Sequence, residues 1–511
     1  VNGNMAQAAH QIPQFTNHEW KVGAARANLT GYKYYVSPKG AKAWEAKHQL
    51  LIDKKLMEVE QGKTKRLMIF TAPRHYKSQT ATIHFPAWYL GKHPDHRILA
   101  ASYSASLVNK FSRQTRGLVN EHGPELFGVQ LAQDSQAVDD WALQSTKDGV
   151  AVSGGYGCAG VRGSFTGKGA NILIIDDPHK DRQEANSEVM RDSIWEWYCS
   201  AAYTRLESDG AIILIMTRWH EDDLAGRLIK AMQDGDEFAE QWDIINLPAL
   251  AEEGDILRRN IGEPLWPEQF PLERYYGIRA SIGSYEWTSL YQQRPQSLTG
   301  GAFPAKWLKW YTSSQIKFDE DKETWIFNGE PLTLYQGIDP AISEKESADD
   351  FVDFTIGITP SSKIVLLDPW DGHIDFIAQV QMIVKKYQEW LPSRVGIETN
   401  AYQQALKQQV IKDAVIPVKG LNHINDKYTR LMTMQPYFEN GQVYMREALD
   451  HEDGFVDNTR MPGRRIHSKF KKCYNQMVVY GPKASHDDIL DALQDALDLA
   501  KPKIIPNEFY Q

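Results

Sequence analysis

The chain has 511 residues, 42% hydrophobic and 24% charged, the proportions of an ordinary globular protein with length for two or three domains. Its 57 Lys and Arg against 66 Asp and Glu leave a net charge of −9, which excludes a uniformly basic nucleic-acid binder but not a local basic stripe. No apolar stretch approaches the roughly 18 residues of a membrane span, the N-terminus has no signal-peptide layout, and three scattered cysteines (Cys158, Cys199, Cys473) predict reduced thiols in an intracellular setting.

In chain order, "GYKYYVSPKGAKAWEAKHQLLIDKKLMEVEQGK" spaces its apolar residues by three and four, which predicts helices ending at Gly62. "RLMIF" reads as a buried strand and "SQTATIHFPAWYLGK" as a helix closing near Gly91. "RILAASY" is a strand, "SASLVNKFSRQTRGLVNEHG" a helix, "NILIIDD" and "AIILIMTRW" strands, and "DDLAGRLIKAMQ" a helix. Apolar strands alternating with helices predict a mainly parallel sheet covered on both faces. The rhythm lapses over 298–330, read as a linker, and resumes with "LYQGIDPA", "FTIGIT", "KIVLLDPW", "SRVGIET" and the helices "AYQQALKQQVI" and "DDILDALQDALDLA". Two α/β domains are expected, at 1–297 and 331–511.

The first candidate site begins at "TAPRHYKS", between a strand and a helix, where a phosphate loop would be written G-x-x-x-x-G-K-[ST]. Both glycine positions are filled, by Thr71 and Tyr76, so the loop needs an alternative course in which Tyr76 keeps a negative φ. Lys77 is placed to reach the β- and γ-phosphates and the Ser78 hydroxyl to ligate magnesium. Arg74 is either a phosphate clamp, an internal arginine finger or a solvent-facing charge. About a hundred residues on, "NILIIDDPHK" delivers Asp176 and Asp177 to a strand end, one suited to magnesium and the other to orienting the attacking water. "AIILIMTRWHEDDL" ends a further strand at Thr217, Arg218 and His220, a hydroxyl to sense the γ-phosphate and an arginine to stabilise transferring charge. The glycine-rich "SGGYGCAGVRGSFTGKGAN", with Arg162 and Lys168, is either a flexible loop near phosphate or a hairpin without a ligand.

The second candidate site is acidic. "YQGIDPA" and "RVGIETNAY" end apolar strands at Asp339 and Glu398, and "SHDDILDAL" puts Asp487, Asp488 and Asp491 at a helix start. Such carboxylates resemble the magnesium set of a ribonuclease-H-like nuclease, in which two ions activate water and stabilise the leaving oxygen of a phosphodiester. An all-oxygen shell suits hard cations, His486 alone does not indicate zinc, and Asp353 is a further candidate ligand. For Asp487 and Asp488, helix capping competes with metal binding. Upstream, "TRMPGRRIHSKFKKC" carries Arg460, Arg464, Arg465, Lys469, Lys471 and Lys472 without an acid, either a DNA-contacting stretch or a solvated loop. Phe470 and Tyr474 there either stack on bases or are buried.

With these residues in view, the chain resembles the large terminase subunit of tailed bacteriophages along nearly its whole length. The likeness lies in "APRHYKS", "HPDHRILAASYSASLVNKFSR", "ILIIDDPHKDRQEANS", "TRWHEDDLAGRL", "GEPLWPEQF" and "YQQRP", then "GIDPA", "GIETNAYQQAL" and "HDDILDAL". It implies an N-terminal P-loop ATPase joined to a C-terminal ribonuclease-H-like nuclease. It also implies that the loop from Pro73 through His75 to Gln79 binds ATP·Mg through Lys77 and Ser78. Asp176 would support magnesium, Asp177 and Arg74 would act in hydrolysis, and Thr217 falls at the coupling motif. Asp339, Glu398 and Asp487 or Asp488 would hold Mg2+ or Mn2+. Relatives usually have glycine at the position of Tyr76 and many have glutamate at that of Asp177. The implied partners are double-stranded DNA, a small terminase subunit, and a portal and procapsid on which copies form a ring. The implied place is the host cytoplasm and, transiently, the procapsid. The competing readings are a nuclease or strand-transfer enzyme with a nucleotide-binding switch domain, and a structural ATP-binder in assembly.

Overall fold

The computed structural model describes residues 18–506 apart from 38–40, 148, 164, 166, 168, 235–238, 296–301, 341–349, 399–405, 412–415, 424–425, 458 and 482–486. The chain divides into two compact units, Val1–Leu272 with Thr288–Gln296, and Glu273–Trp287 with Ser297–Gln511.

The first unit is built on nine strands: β1 (Arg66–Thr71), β2 (Arg97–Ser102), β3 (Gln130–Gln136), β4 (Asp140–Lys147), β5 (Val150–Val152), β6 (Gly155–Gly160), β7 (Ala170–Asp176), β8 (Leu206–Met216) and β9 (Asp243–Leu247). Their order is β3-β4-β6-β2-β7-β8-β1-β9, with β5 beside β4. From β6 to β9 all pairs are parallel; β3, β4 and β5 add an antiparallel edge. Alternate residues of the central strands enter opposite cores. Leu67, Ile69, Ile98, Ile172, Ile174, Ile213 and Ile215 face one, and Met68, Phe70, Leu99, Leu173, Ile175, Ile212 and Leu214 the other. Burial on both faces is why these strands read as unbroken apolar runs.

The glycine-rich stretch is neither loop nor bare hairpin in its first half: 155–160 is β6, parallel to β2. A Cβ on Gly155 would come 2.4 Å from the Trp141 carbonyl oxygen and one on Gly157 2.9 Å from Leu99, so glycine serves close strand packing there. Lys168 lies outside the described residues. The helix expected over 78–92 is also modified. Gln79–His84 is wound as a π-turn before an α-helix at Phe85–Lys92, and the Phe85 amide reaches back to Thr80 O. Pro86 has no N–H to give to Thr82 O, and the wider turn places it at the N-terminus of the α-segment, where a donor is not needed.

The second unit has a seven-stranded sheet from β10 (Lys309–Tyr311), β14 (Thr333–Asp339), β15 (Phe351–Ile358), β16 (Ile364–Gly372), β17 (Arg394–Glu398), β18 (Val418–Leu421) and β19 (Val443–Arg446), in the order β10-β19-β16-β15-β14-β17-β18. The central β15 runs antiparallel to both its neighbours, β14 and β16, and the flanking strands join in parallel. Small sheets of β11 (Ile316–Asp319), β12 (Thr324–Phe327) and β13 (Glu330–Pro331), and of β20 (Gly454–Val456) and β21 (Arg465–His467), complete it. Residues 309–311, inside the stretch read as a linker, are thus an edge strand of this sheet. Of the helix expected at 401–411, residues 406–411 are described and helical. The helix Asp488–Ala500 crosses β14 and β17 at Gly337 and Gly396, which are in register with each other. A Cβ on Gly337 would stand 2.0 Å from Ala492 O, and one on Gly396 2.9 Å from Leu499. Two registered glycines therefore let this helix lie on the sheet.

Among the described residues no helix is long and apolar enough to cross a membrane. The cysteines are free, Cys158 and Cys473 buried and Cys199 exposed.

Candidate functional site

In the first unit, strand register brings three distant segments to one sheet edge. Asp176 pairs with Ile215, and Met216 with Phe70, so β1, β7 and β8 end side by side. Thr217 follows β8, and the 71–78 loop follows β1, at the carboxyl edge where parallel sheets present ligands. Lys77 Nζ donates to Thr217 Oγ1 (2.6 Å) and pairs with Asp177 Oδ2 (3.1 Å). Asp177 Oδ1 in turn accepts the Thr217 amide (2.8 Å). Asp176 is buried and accepts the Ser78 hydroxyl on Oδ1 (3.0 Å) and the Thr82 hydroxyl on Oδ2 (2.5 Å). Burial first, and Asp177 second, push the Asp176 carboxyl up to about 7, against the hydroxyls and Lys77. A buried carboxylate beside the Ser78 hydroxyl fits a hard divalent cation, which would relieve its charge.

Three non-glycine residues here have left-handed backbone: Arg74 (φ 68°), Tyr76 (φ 58°) and Asp177 (φ 46°). The expectation of a negative φ for Tyr76 is therefore wrong. The chain keeps the left-handed turn that glycine would make freely, at about 1–2 kcal/mol for a side chain with Cβ. Tyr76 is 43% exposed, with two aromatic neighbours. The Tyr76 ring lies 5.6 Å from Trp44 and 5.3 Å from Trp266. Next to it, His75 is buried, stacked on Phe270 at 4.6 Å, with its Nδ1 against Pro73 O (2.9 Å) and its carbonyl accepting Gln49 Nε2 (2.8 Å). Burial lowers the His75 imidazole to about 4, so it is neutral scaffold. Pro73 and Gln79 are half-buried, and Arg74 is exposed at the loop tip.

Arg218 does not face the phosphate side. Its guanidinium is buried over the Phe70 ring and bound to Asp223 (3.0 Å), the N-cap of the helix Leu224–Gln233. Thr82, by contrast, went unremarked in the sequence. Its place four residues after Ser78, one helical turn on, is the signal that would have found it.

In the second unit, Ile338 is in register with Ile397, so Asp339 and Glu398 leave adjacent strands together. They lie two residues beyond Gly337 and Gly396 and so share the sheet face on which helix Asp488–Ala500 rests. That helix contributes Asp488, Asp491 and Asp495, all buried, with Asp487 before it. Asp487 occupies the N-cap position, yet its side chain makes no capping hydrogen bond. It pairs with Lys427, whose ammonium also contacts Asp491 and lies 3.8 Å from Asp488 Oδ1. Arg430 binds the other Asp491 oxygen, and His423 Nε2 lies 2.7 Å from Asp495 Oδ1.

Burial, then Asp491, holds the Asp339 carboxyl well above its ordinary range; burial also raises Asp487, and Asp495 to about 6. Glu398 acts electrostatically on His423, Arg430 and Asp495, which locates it beside the same cluster. Carboxylates outnumber the lysine and the arginine they face, an oxygen-rich, charge-excess set suited to hard cations. Among the described residues, however, no three acidic, histidine or cysteine side chains are spaced to hold an ion as they stand. The aspartates are gathered on Lys427 instead. Lys427 and Arg430, three apart on the helix Lys427–Met432, were not anticipated, and His486 lies outside the described residues.

Asp353 does not join this cluster. It is fully buried in β15, accepts Gln336 Nε2 (2.7 Å) and is raised to about 7 by burial. The basic stretch is largely neutralised. Arg460 pairs with Asp457, Arg464 with Glu447, Lys469 with Asp368, and Lys472 with Asp350 and Asp371. Arg465 donates to the carbonyls of Leu449, Asp450 and Glu452, and Lys471 lies 5.9 Å from the Phe455 ring. Phe470 and Tyr474 are buried.

The family model "Terminase large subunit, T4likevirus-type, N-terminal" matches residues 68–309, and "Terminase RNaseH-like domain" matches 336–499. The chain belongs to the terminase large subunit family. It thus joins an ATPase domain to a ribonuclease-H-like nuclease domain, and the α/β architecture expected for each is the one observed. Among solved structures, the large terminase of a thermophilic bacteriophage is 11% identical, with 88% of this chain and 99% of that one covered and a TM-score of 0.42. The HK97 bacteriophage large terminase is 13% identical, with 87% and 93% covered and a TM-score of 0.32. The large terminase nuclease of thermophilic phage G20c, with bound cobalt, is 12% identical, with 39% and 97% covered and a TM-score of 0.25. No curated protein sequence matches the chain.

Proposed function

We propose that this terminase is the ATP-driven motor and nuclease that moves double-stranded viral DNA into procapsids and cuts it. The observation that carries the reading is the convergence of Lys77, Asp177 and Thr217, and of Ser78 with Asp176, from three strand ends on one edge. Lys77, now held by Asp177 and Thr217, is the cation positioned to take the β- and γ-phosphates of ATP. Ser78 and Asp176 would hold magnesium, which supplies charge neutralisation to the triphosphate. Asp177 is one methylene shorter than glutamate, so as the water-orienting carboxylate it must work close to the phosphate; releasing Lys77 to the nucleotide frees its Oδ2 for that task. Thr217, bonded to both Lys77 and Asp177, links the phosphate state to the end of β8. Arg74, exposed at the loop tip, is the candidate for stabilising transferring charge.

In the nuclease domain, Asp339, Glu398 and Asp487 or Asp488 would hold Mg2+ or Mn2+, whose chemistry is to activate water and stabilise the leaving oxygen. DNA is gripped through its phosphates without regard to sequence, with Arg460, Arg464, Arg465, Lys469, Lys471 and Lys472 as candidate contacts. The partners are a small terminase subunit, a portal and a procapsid. The chain works as a homo-oligomeric ring on that portal, and in the host cytoplasm before docking.

The test is ATP hydrolysis with and without DNA in the parent and in Lys77→Ala, followed by packaging of DNA into procapsids. DNA-stimulated hydrolysis lost in the variant supports the reading; an unaltered rate in Lys77→Ala removes the site from the mechanism. A switch domain without translocation would hydrolyse ATP yet package no DNA.

A further inference from the structure

We propose that Lys427 is a displaceable internal counter-ion of the nuclease acid cluster. Its ammonium holds the aspartates together until a divalent cation replaces it, and so sets the cation concentration at which the site loads. The proposal rests on the reading of Asp339, Glu398 and Asp487 or Asp488 as metal ligands.

Helix Lys427–Met432 begins at Asp426, which caps it by accepting the Thr429 amide (3.0 Å), and its first turn directs Lys427 and Arg430 at the aspartates of helix Asp488–Ala500. The two cations differ in kind. The Arg430 side chain is 11% exposed and fixed on Asp491, whereas that of Lys427 is 40% exposed, so its ammonium reaches the acids from the solvent side. It contacts Asp487 and Asp491 and stands 3.8 Å from Asp488, the point where three acidic side chains converge. Asp339, on the facing strand, has no hydrogen-bond or ion-pair partner among the described side chains and feels the same lysine.

A divalent ion needs these oxygens at about 2.0–2.6 Å, and an ammonium seated between them stands where that ion would sit and repels its charge. A lysine on a flexible four-carbon stem can withdraw into water, where its compact charge is well hydrated; a buried, forked arginine cannot. Arginine therefore keeps the architecture and lysine acts as the exchangeable ion. The exchange moves no covalent bond; one ammonium leaves as one cation enters.

The experiment uses the full chain and Mn2+ as probe. Mn2+ binding is measured by titration calorimetry and electron paramagnetic resonance, and the signal assigned to this site is the part lost in Asp339→Ala. In the parent, acetylation of Lys427 by an amine-reactive reagent is followed by mass spectrometry as Mn2+ is raised. We expect Lys427 labelling to rise several-fold along the Mn2+ binding curve. Lys427→Met should bind Mn2+ at least about fivefold more tightly, the factor for two unit charges about 4 Å apart in watery surroundings and therefore a floor for a divalent ion. Labelling that stays constant while Mn2+ saturates the site overturns the proposal and leaves the metal reading intact. So does unchanged or weaker binding in a folded Lys427→Met. If that variant does not fold, labelling of the parent decides. Parent binding that Asp339→Ala does not reduce overturns both the metal assignment and the role of Lys427.

Discussion

Replacing Asp176 with asparagine should make the nucleotide-free protein more stable. Its carboxyl is raised from 3.8 to about 7 by burial and then by Asp177. A raised acid penalises folding once it ionises. The penalty is absent below pH 3.8, grows between there and about 7, and is complete above. About three pH units at 1.36 kcal/mol each give about 4 kcal/mol. Asparagine carries no charge, but its amide nitrogen cannot accept a hydroxyl, so one of the bonds from Ser78 and Thr82 must break, at about 1–2 kcal/mol. The net gain is about 2 kcal/mol at about pH 8 and close to nothing at about pH 4.5, where the parent carboxyl is already protonated. The assay is scanning calorimetry of the full chain at both pH values, following the transition that ATP·Mg shifts. A rise of a few degrees at the higher pH, shrinking at the lower, is expected for a unit of this size. It should be accompanied by loss of nearly all ATP hydrolysis. A variant no more stable than the parent at the higher pH, or a gain equal at both, refutes the electrostatic account.

Tyr76→Gly relieves the left-handed backbone but loses ring packing on Trp44 and Trp266, so thermal stability should change by less than about 1 kcal/mol, whereas the β-branched Tyr76→Val should lose more than about 2 kcal/mol. Gly337→Ala drives a methyl toward Ala492 O and must lift the aspartate helix from β14; calorimetry should show a loss of roughly 3 kcal/mol or more, and cleavage should fail with it. Asp339→Asn removes a carboxyl that burial biases toward its protonated form, so unfolding at about pH 8 should show equal or greater stability while Mn2+-dependent cleavage falls at least about a hundredfold. A destabilised but active Asp339→Asn would remove this residue from the cutting chemistry.

The two sites handle charge in opposite ways. In the ATPase domain a lysine is held by acid and hydroxyl partners from other strands. In the nuclease domain the acids are in excess and a lysine tempers them. In both, ion pairs offset part of the cost of burying charge.

Much of this was determined by the sequence itself. Apolar runs such as "ILII" and "IILIM" specify doubly covered strands, because parallel strands buried on both faces have no reason to alternate. An acid or hydroxyl at the end of such a run must emerge at the sheet edge, so the placement of Asp176, Asp177, Thr217, Asp339 and Glu398 at strand ends was legible from their neighbours. What the sequence did not determine was which partners each would meet. Arg218 turned to Asp223 and Asp353 sank into β15, and the basic stretch found acids far away in the chain. Ion pairing depends on which surfaces tertiary packing brings within a few ångströms, and no local period encodes that. Tyr76 shows the same limit in the backbone. Local propensity argued against a left-handed tyrosine, and its contacts with Trp44 and Trp266 come from distant segments that no local pattern reveals.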